Sequence, residues 1–261
     1  MATNIFIFIP AFGQIITSTT FLTTHQLCRT LQDKNVGTAL ATLSFPDIAE
    51  LRSMAMTIWY DTMPDASHLL FIDADMGFAP DLVTDMLLFN EPLIGALYPQ
   101  RKLPLSWAGS GTGEATAERR GNFMRVEGVG MGCTLIKREV VTKMIEAYPD
   151  LIDTRINLHP AFGTLTGAGC KRLLRFWEKL DIPERGLVSE DLSFCIRWNK
   201  IGGQTWASIG HRMSHVGQHD FAGRYLDVVE QGAAQAAEPV APMTDEQLAA
   251  VSASQNMDLF G

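Results

Sequence analysis

Three places in the chain combine acidic or imidazole side chains at spacings suited to chemistry. Asp73-Ala74-Asp75 directly follows the apolar run 69–72. A strand carries alternate residues on one face, so both carboxylates are expected to project together, ~7 Å apart along the strand. At the carboxyl edge of a parallel sheet, where α/β proteins hold ligands, such a pair suits a hard divalent cation, Mg2+ or Mn2+, bridging to a diphosphate. The competing expectation is that one Asp caps the next turn and the other is solvated. Glu190-Asp191 forms a second site, in the first turn of a helix begun by Ser189. The helix dipole favours acidic residues there whatever their role, and a carboxylate at the mouth of a sheet can also accept a proton from a nucleophilic hydroxyl. His211, His215 and His219 are four apart and would align on a helix, but Gly210 and Gly217 oppose one continuous helix. They lack the cysteines or the H-E-x-x-H pattern of a zinc site. One imidazole completing a carboxylate metal site is the economical expectation, beside a solvated or core role.

The elements that must position these groups follow from apolar periodicity. Residues 5–9 form a β-branched and aromatic run ended by Pro10 and Gly13, the signature of a buried strand. Residues 17–32 predict a helix and 36–43 a second strand. Asp47 is an N-cap for a helix over 48–63, with Glu50 three positions on as in a capping box. Strand 69–72, a helix from Pro80 through Leu88 and strand 93–98 complete a β-α-β-α-β-α-β order. That order predicts an α/β fold: a mostly parallel sheet with helices on both faces.

Further on, 100–121 predicts loops or a hairpin, 123–127 and 133–136 strands, and 137–148 a helix. Residues 150–187 are an excursion of the kind that covers a site. A helix from Ser189 to Lys200, stopped by Gly202-Gly203, leads to a strand over 204–209. From Gly232 the composition turns to that of a linker, with a short helix capped at Thr244. The expected division is one domain, 1–231, and a tail, 232–261.

Composition bounds the partners. The 261 residues include 46% hydrophobic and 19% charged, enough for one buried core and unlike a disordered chain. With 21 Lys and Arg against 29 Asp and Glu, the net charge of −8 excludes a broad basic surface for coating nucleic acid. Cys28, Cys133, Cys170 and Cys195 have no metal-site spacing and are expected to be reduced. The apolar start carries no Lys or Arg ahead of it, and no run reaches the ~18 apolar residues of a membrane helix. A cytoplasmic protein is expected.

Taken in order, these segments resemble nucleotide-sugar-dependent glycosyltransferases of the GT-A fold, a Rossmann-like single domain. The closest likeness is to the family-2-like and fungal mannan-polymerase-subunit-like groups found as short bacterial and phage proteins. The resemblance spans residues 4–223. Residues 5–10 are similar to the first strand, whose exit loop (Pro10, Ala11, Phe12) holds the nucleotide base. Leu51-Arg52-Ser53 resembles an Ala-Arg-Asn segment, with Ser53 departing from the Asn and Arg52 facing the nucleotide. Residues 68–77 resemble the D-x-D segment, in which Asp73 and Ala74 border the nucleotide sugar. Residues 129–137, with Gly130, Met131 and Gly132, resemble the strand lining the sugar and acceptor pocket. Ser189-Glu190-Asp191 is similar to the acidic E-D motif, and His215-Val216-Gly217 to the late metal-binding histidine.

The resemblance implies a hexosyl- or pentosyltransferase using Mn2+ or Mg2+ and a UDP- or GDP-sugar. Asp75 and His215 would bind the metal, and Asp73 the ribose and the metal. Asp191 would be the general base of an inverting transfer, and Glu190 would position a sugar. Residues 152–186 have no counterpart, so acceptor choice is expected there and in Arg101, Lys102 and Trp107. The acceptor hydroxyl would sit on a glycan, or on hydroxymethylated bases of phage DNA held by a groove of Arg119, Arg120, Arg125, Lys171, Arg172 and Arg175. Two other classes compete. A nucleotidyltransferase would want a basic loop after the first strand, but residues 10–16 contain no Arg or Lys. A non-catalytic binding relative would not need Asp73, Asp75, Asp191 and His215 together.

Overall fold

A computed structural model describes residues 3–110, 118–217 and 219–237. Strand β1 (Asn4–Pro10), helix α1 (Ser18–Asp33), β2 (Gly37–Leu43), α2 (Ile48–Thr62) and β3 (His68–Ile72) follow the expected order. β1 pairs in parallel with β2 on one side and β3 on the other, so α1 and α2 are crossover helices. Next come β4 (Met76–Phe78), α3 (Asp81–Phe89), β5 (Leu93–Ala96), β6 (Tyr98–Pro99), β7 (Trp107–Ser110) and β8 (Arg119–Arg120). They are followed by β9 (Phe123–Val126), β10 (Gly128–Val129), β11 (Cys133–Lys137) and α4 (Arg138–Ala147). The 150–187 region holds only short pieces: β12 (Ile152–Asp153), α5 (Gly163–Gly167), β13 (Leu173–Leu174), β14 (Asp181–Ile182) and β15 (Gly186–Leu187). The chain continues through α6 (Glu190–Lys200), β16 (Thr205–Ser208), β17 (Met213–Val216), β18 (Asp220–Gly223) and α7 (Tyr225–Ala237).

The main sheet has the order β2-β1-β3-β11-β5-β16-β9-β8. β11 runs antiparallel to both neighbours, while β5 and β16 are parallel to each other and share the direction of β1 to β3. The fold is thus a mixed α/β architecture around a mainly parallel sheet. Strand alternation divides the core. Ile5, Ile7 and Ile9 of β1 face Leu27 and Leu31 of α1, in a cluster that includes Leu82, Val83 and Met86 of α3. On the other face Phe8 meets Phe71 edge-on, Phe71 meets Trp177, and Trp177 stacks on Phe194 of α6 at 4.1 Å. Helices therefore cover both faces.

The expected single strand over 93–98 is divided. Leu97 donates its N–H to Ser208, and β6 then leaves the sheet to pair with β7. Pro99 has no N–H to continue a ladder, which accounts for the exit. The 150–187 excursion builds a core of its own from Ile156, Phe162, Leu165, Cys170 and Leu173 against Met54 of α2. The Thr57 hydroxyl anchors it by accepting the Leu174 N–H at 3.0 Å.

The chain divides into two compact units, Met1–Leu226 and Asp227–Gly261, the first holding the sheets above. Residues 111–117 of the expected hairpin and the expected helix near Thr244 lie outside the described residues. All four cysteines are free. Among the described residues no helix is long and apolar enough to cross a membrane.

Asp47 caps α2 by accepting the Glu50 N–H at 2.9 Å. Asp47→Ala is expected to cost about 1 kcal/mol in urea unfolding.

Candidate functional site

β3 ends at Ile72, and Asp73-Ala74-Asp75 is a turn, not an extension of the strand. Asp73 donates its N–H to Gly132 and accepts that of Met76; the Ala74 carbonyl accepts from Thr17, and the Asp75 carbonyl from Val216. Because the turn is held by its backbone, the two carboxylates do not share a face as a strand would require. Asp73 points to Arg52, and Asp75 points to Arg101 and His215.

Arg52 lies on the buried face of α2 with 3% of its side chain exposed. Its Nη1 donates to Glu190 Oε1 at 2.7 Å and to Asp191 Oδ1, and its Nη2 to Asp73 Oδ1 at 3.2 Å. The guanidinium also lies 5.8 Å from the Trp177 ring centroid, and among the described residues its Nε has no hydrogen-bond partner. The side chain expected to face a nucleotide is instead enclosed by three carboxylates. Sequence reasoning had no route to this cluster, because it joins positions up to 139 residues apart.

Ser189 caps α6 through the Leu192 N–H, which puts Glu190 and Asp191 in the first turn. The Met131 N–H donates to Asp191 Oδ2 at 3.2 Å. Burial pushes the Asp191 carboxyl up to about 7; Arg52 opposes the rise, and Glu190 and Asp73 add to it. For Arg52 itself burial would favour the neutral form, but the charges of Asp191, Asp73 and Glu190 outweigh it and raise the guanidinium further. Tyr98, which the sequence marks only as the end of a strand, is buried beside them. Burial, then Asp73 and Asp191, hold its phenol well above the usual range, so it stays neutral. Gly130 and Gly132 make room for this ring: a Cβ on Gly132 would lie 2.7 Å from Tyr98 Cε1, and one on Gly130 would collide with Tyr98 Oη. In front of Asp191 lies a cavity of about 290 Å3 lined by Tyr98, Gln100, Gly109, Gly130 and Ser189.

The three histidines are not on a helix. His215 lies on β17, which pairs with β4 and β18. His211 binds Ser208 and Asp85, and His219 packs edge-on to Phe221. His215 Nδ1 bonds the Pro99 carbonyl at 2.9 Å, which turns Nε2 toward Asp75 Oδ2 at 3.4 Å. Burial would lower the imidazole pKa, but the bonds to Asp75 and Pro99 outweigh it and raise it. The His215 ring is also edge-on to Tyr98, so this pair and the Arg52 cluster border the same phenol. A carboxylate oxygen beside an imidazole nitrogen, whose other nitrogen is fixed by a carbonyl, suits Mn2+ or Mg2+ as two neighbouring ligands. Among the described residues no group of three or more His, Cys, Asp or Glu is placed to hold a metal ion, so the rest of a coordination sphere would come from substrate and water.

Of the other expected residues, Pro10 and Ala11 are buried, with the Ala11 N–H on the Leu43 carbonyl, while Phe12 is 76% exposed. Trp107 is edge-on to Tyr225 at 5.3 Å. Four of the six basic residues expected in a groove pair with acids: Arg120 with Glu91 and Glu118, Arg125 with Glu118, Arg172 with Asp61, and Arg175 with Glu178.

No protein-family model and no curated protein matches the chain. Solved structures do resemble it. The protein A197 from STIV shares 16% identity at a TM-score of 0.48, over 82% of this chain and 86% of that one. A mutant Drosophila β1,4-galactosyltransferase 7 in complex with manganese, UDP-Gal and xylobiose shares 12% at a TM-score of 0.40, over 93% and 82%. A glycosyltransferase involved in glycosylation of the major capsid of PBCV-1 shares 12% at a TM-score of 0.32, over 62% and 74%.

Arg52→Met leaves carboxylates buried without their cation and is expected to cost about 3–5 kcal/mol at pH 8. The loss should shrink at pH 5, below the raised pKa of Asp191, where that carboxyl carries a proton. Asp191→Asn acts in the opposite direction. With its folded pKa raised to about 7, Asp191 keeps a proton that the unfolded chain releases from about pH 4 upward. It therefore disfavours folding increasingly as pH rises through that window. The variant is expected to gain stability over the wild type at pH 8 and to gain little at pH 4, read as urea midpoints.

Proposed function

We propose that this chain is a metal-dependent glycosyltransferase that moves a hexosyl or pentosyl group from a UDP- or GDP-sugar to a glycan hydroxyl, with inversion at the anomeric carbon. The observation that carries this proposal is Asp191, oriented by Arg52 and the Met131 N–H, with a pKa of about 7 and facing a cavity. A carboxylate of that basicity is poised to take a proton near neutral pH. The acceptor hydroxyl oxygen attacks the anomeric carbon, its proton passes to Asp191, and the bond to the diphosphate oxygen breaks.

Arg52, Glu190 and Asp73 keep Asp191 in place, and Glu190 sits beside the sugars as a positioning group. The neutral Tyr98 phenol and the glycine backbone of 130–132 shape the wall against which the transferred sugar lies. Pro10, Ala11 and the exposed Phe12 ring border the place for the base, next to the Asp73-Ala74-Asp75 turn. Asp75 and His215 would hold Mn2+ or Mg2+, whose charge offsets that building on the leaving diphosphate. Trp107, on β7, bounds the acceptor side. The pairing of Arg120, Arg125, Arg172 and Arg175 with acids favours a glycan over DNA as acceptor. Residues 1–231 would form the catalytic domain.

A panel of UDP- and GDP-sugars, followed by nucleoside-diphosphate release with Mn2+ and with EDTA, tests this. One donor is expected to be hydrolysed or transferred only with metal, and Asp75→Ala to abolish that. Asp191→Asn should lower kcat by about 10²- to 10⁴-fold. In the wild type, kcat/KM should rise with pH to a plateau through an apparent pKa of about 7. Absence of both binding and release across the panel would sink the proposal.

A further inference from the structure

The cleft contains two arginines in opposite situations. Arg52 is 3% exposed and tied to three carboxylates. Arg101 is 52% exposed and, among the described residues, has one ion pair, from Nη1 to Asp75 Oδ2 at 3.1 Å. That oxygen is the same one that faces His215 Nε2. The Arg101 stem runs over Gly217, where an added Cβ would lie 3.0 Å from Cδ. Its backbone belongs to a loop closed by the Gln100 N–H on the Ser106 carbonyl and the Ser106 hydroxyl on Gln100 Oε1.

We propose that Arg101 is an exchangeable cation: it occupies Asp75 until substrate arrives, then yields that oxygen to the metal and moves to the diphosphate of the donor. The diphosphate half of this inference rests on the glycosyltransferase proposal above. Two cations cannot share one carboxylate oxygen without strong repulsion at contact distance. A half-exposed ion pair is weak enough to yield. The loop keeps the released guanidinium near the cleft, and its planar fork is suited to two phosphate oxygens. Gly217 presents no side chain to block movement of the stem. Metal and nucleotide would thus bind better together than apart, since each removes a competitor of the other.

The test is binding, not turnover. Free Mn2+ is titrated by electron paramagnetic resonance against wild type, Arg101→Gln and Asp75→Asn, and UDP and GDP are titrated by calorimetry in EDTA. Circular dichroism melts check that the variants fold. Arg101→Gln is expected to bind Mn2+ alone about two- to five-fold tighter than wild type. It should bind the better of the two diphosphates several-fold more weakly. Unchanged or weaker Mn2+ binding by Arg101→Gln, or undiminished diphosphate binding, overturns the exchange while leaving the transferase proposal standing. If Asp75→Asn binds Mn2+ as wild type does, the metal site itself is misassigned and both fall.

Discussion

A guanidinium with almost no access to water has to be surrounded by acceptors, and the centre of this molecule is arranged to meet that demand at Arg52. Its partners come from the turn after β3 and from the first turn of α6, while Trp177 lies near its face. Moving α2 or α6 away would separate the buried guanidinium from its closest carboxylates, and an unpaired buried charge costs several kcal/mol. The cluster nevertheless does not neutralise itself, since three carboxylates face one cation. That imbalance, added to burial, lifts the Asp191 carboxyl to about 7. The same constraint that holds the site together therefore sets its acid–base character.

The reversed strand β11 completes this arrangement. Placed between β3 and β5, it brings the 130–132 backbone to the carboxyl edge of the parallel strands. There the Met131 N–H reaches Asp191, and the flanking glycines admit the Tyr98 ring. Tyr98 in turn borders His215, so a single neutral phenol separates the Arg52 cluster from the Asp75–His215 pair. One side of the cleft has its cation locked in by burial, and the other has a cation exposed to solvent. In the proposed transferase, proton transfer would benefit from the fixed geometry, and ion and substrate entry from the exchangeable one.

Much of the fold was legible in the sequence because it rests on local physics. The run 5–9, the Asp47 and Ser189 caps, and the Pro and Gly punctuation specify strands, helix starts and stops through interactions within a few residues. The order of those elements then led to a mainly parallel sheet with covered faces. Expectations failed where the backbone answered to a distant partner. Residues 73–75 turn instead of extending, because Gly132, Thr17 and Val216 bind their backbone. The strand that carries His215 was not foreseen either, because it forms by pairing β17 with the distant β4.

The sequence by itself determined which chemical groups stand at the ends of which strands and helices: carboxylates at 73 and 75 after one strand, and at 190 and 191 at the start of one helix. Only the tertiary structure decided how they pair. Arg52 turned out to bind the carboxylates expected to work apart, Tyr98 came to stand between the two halves, and Arg101 took the oxygen assigned to a metal. Strand and helix formation depends on neighbours in the chain, whereas charge pairing and desolvation depend on distances in space. Only folding sets those distances.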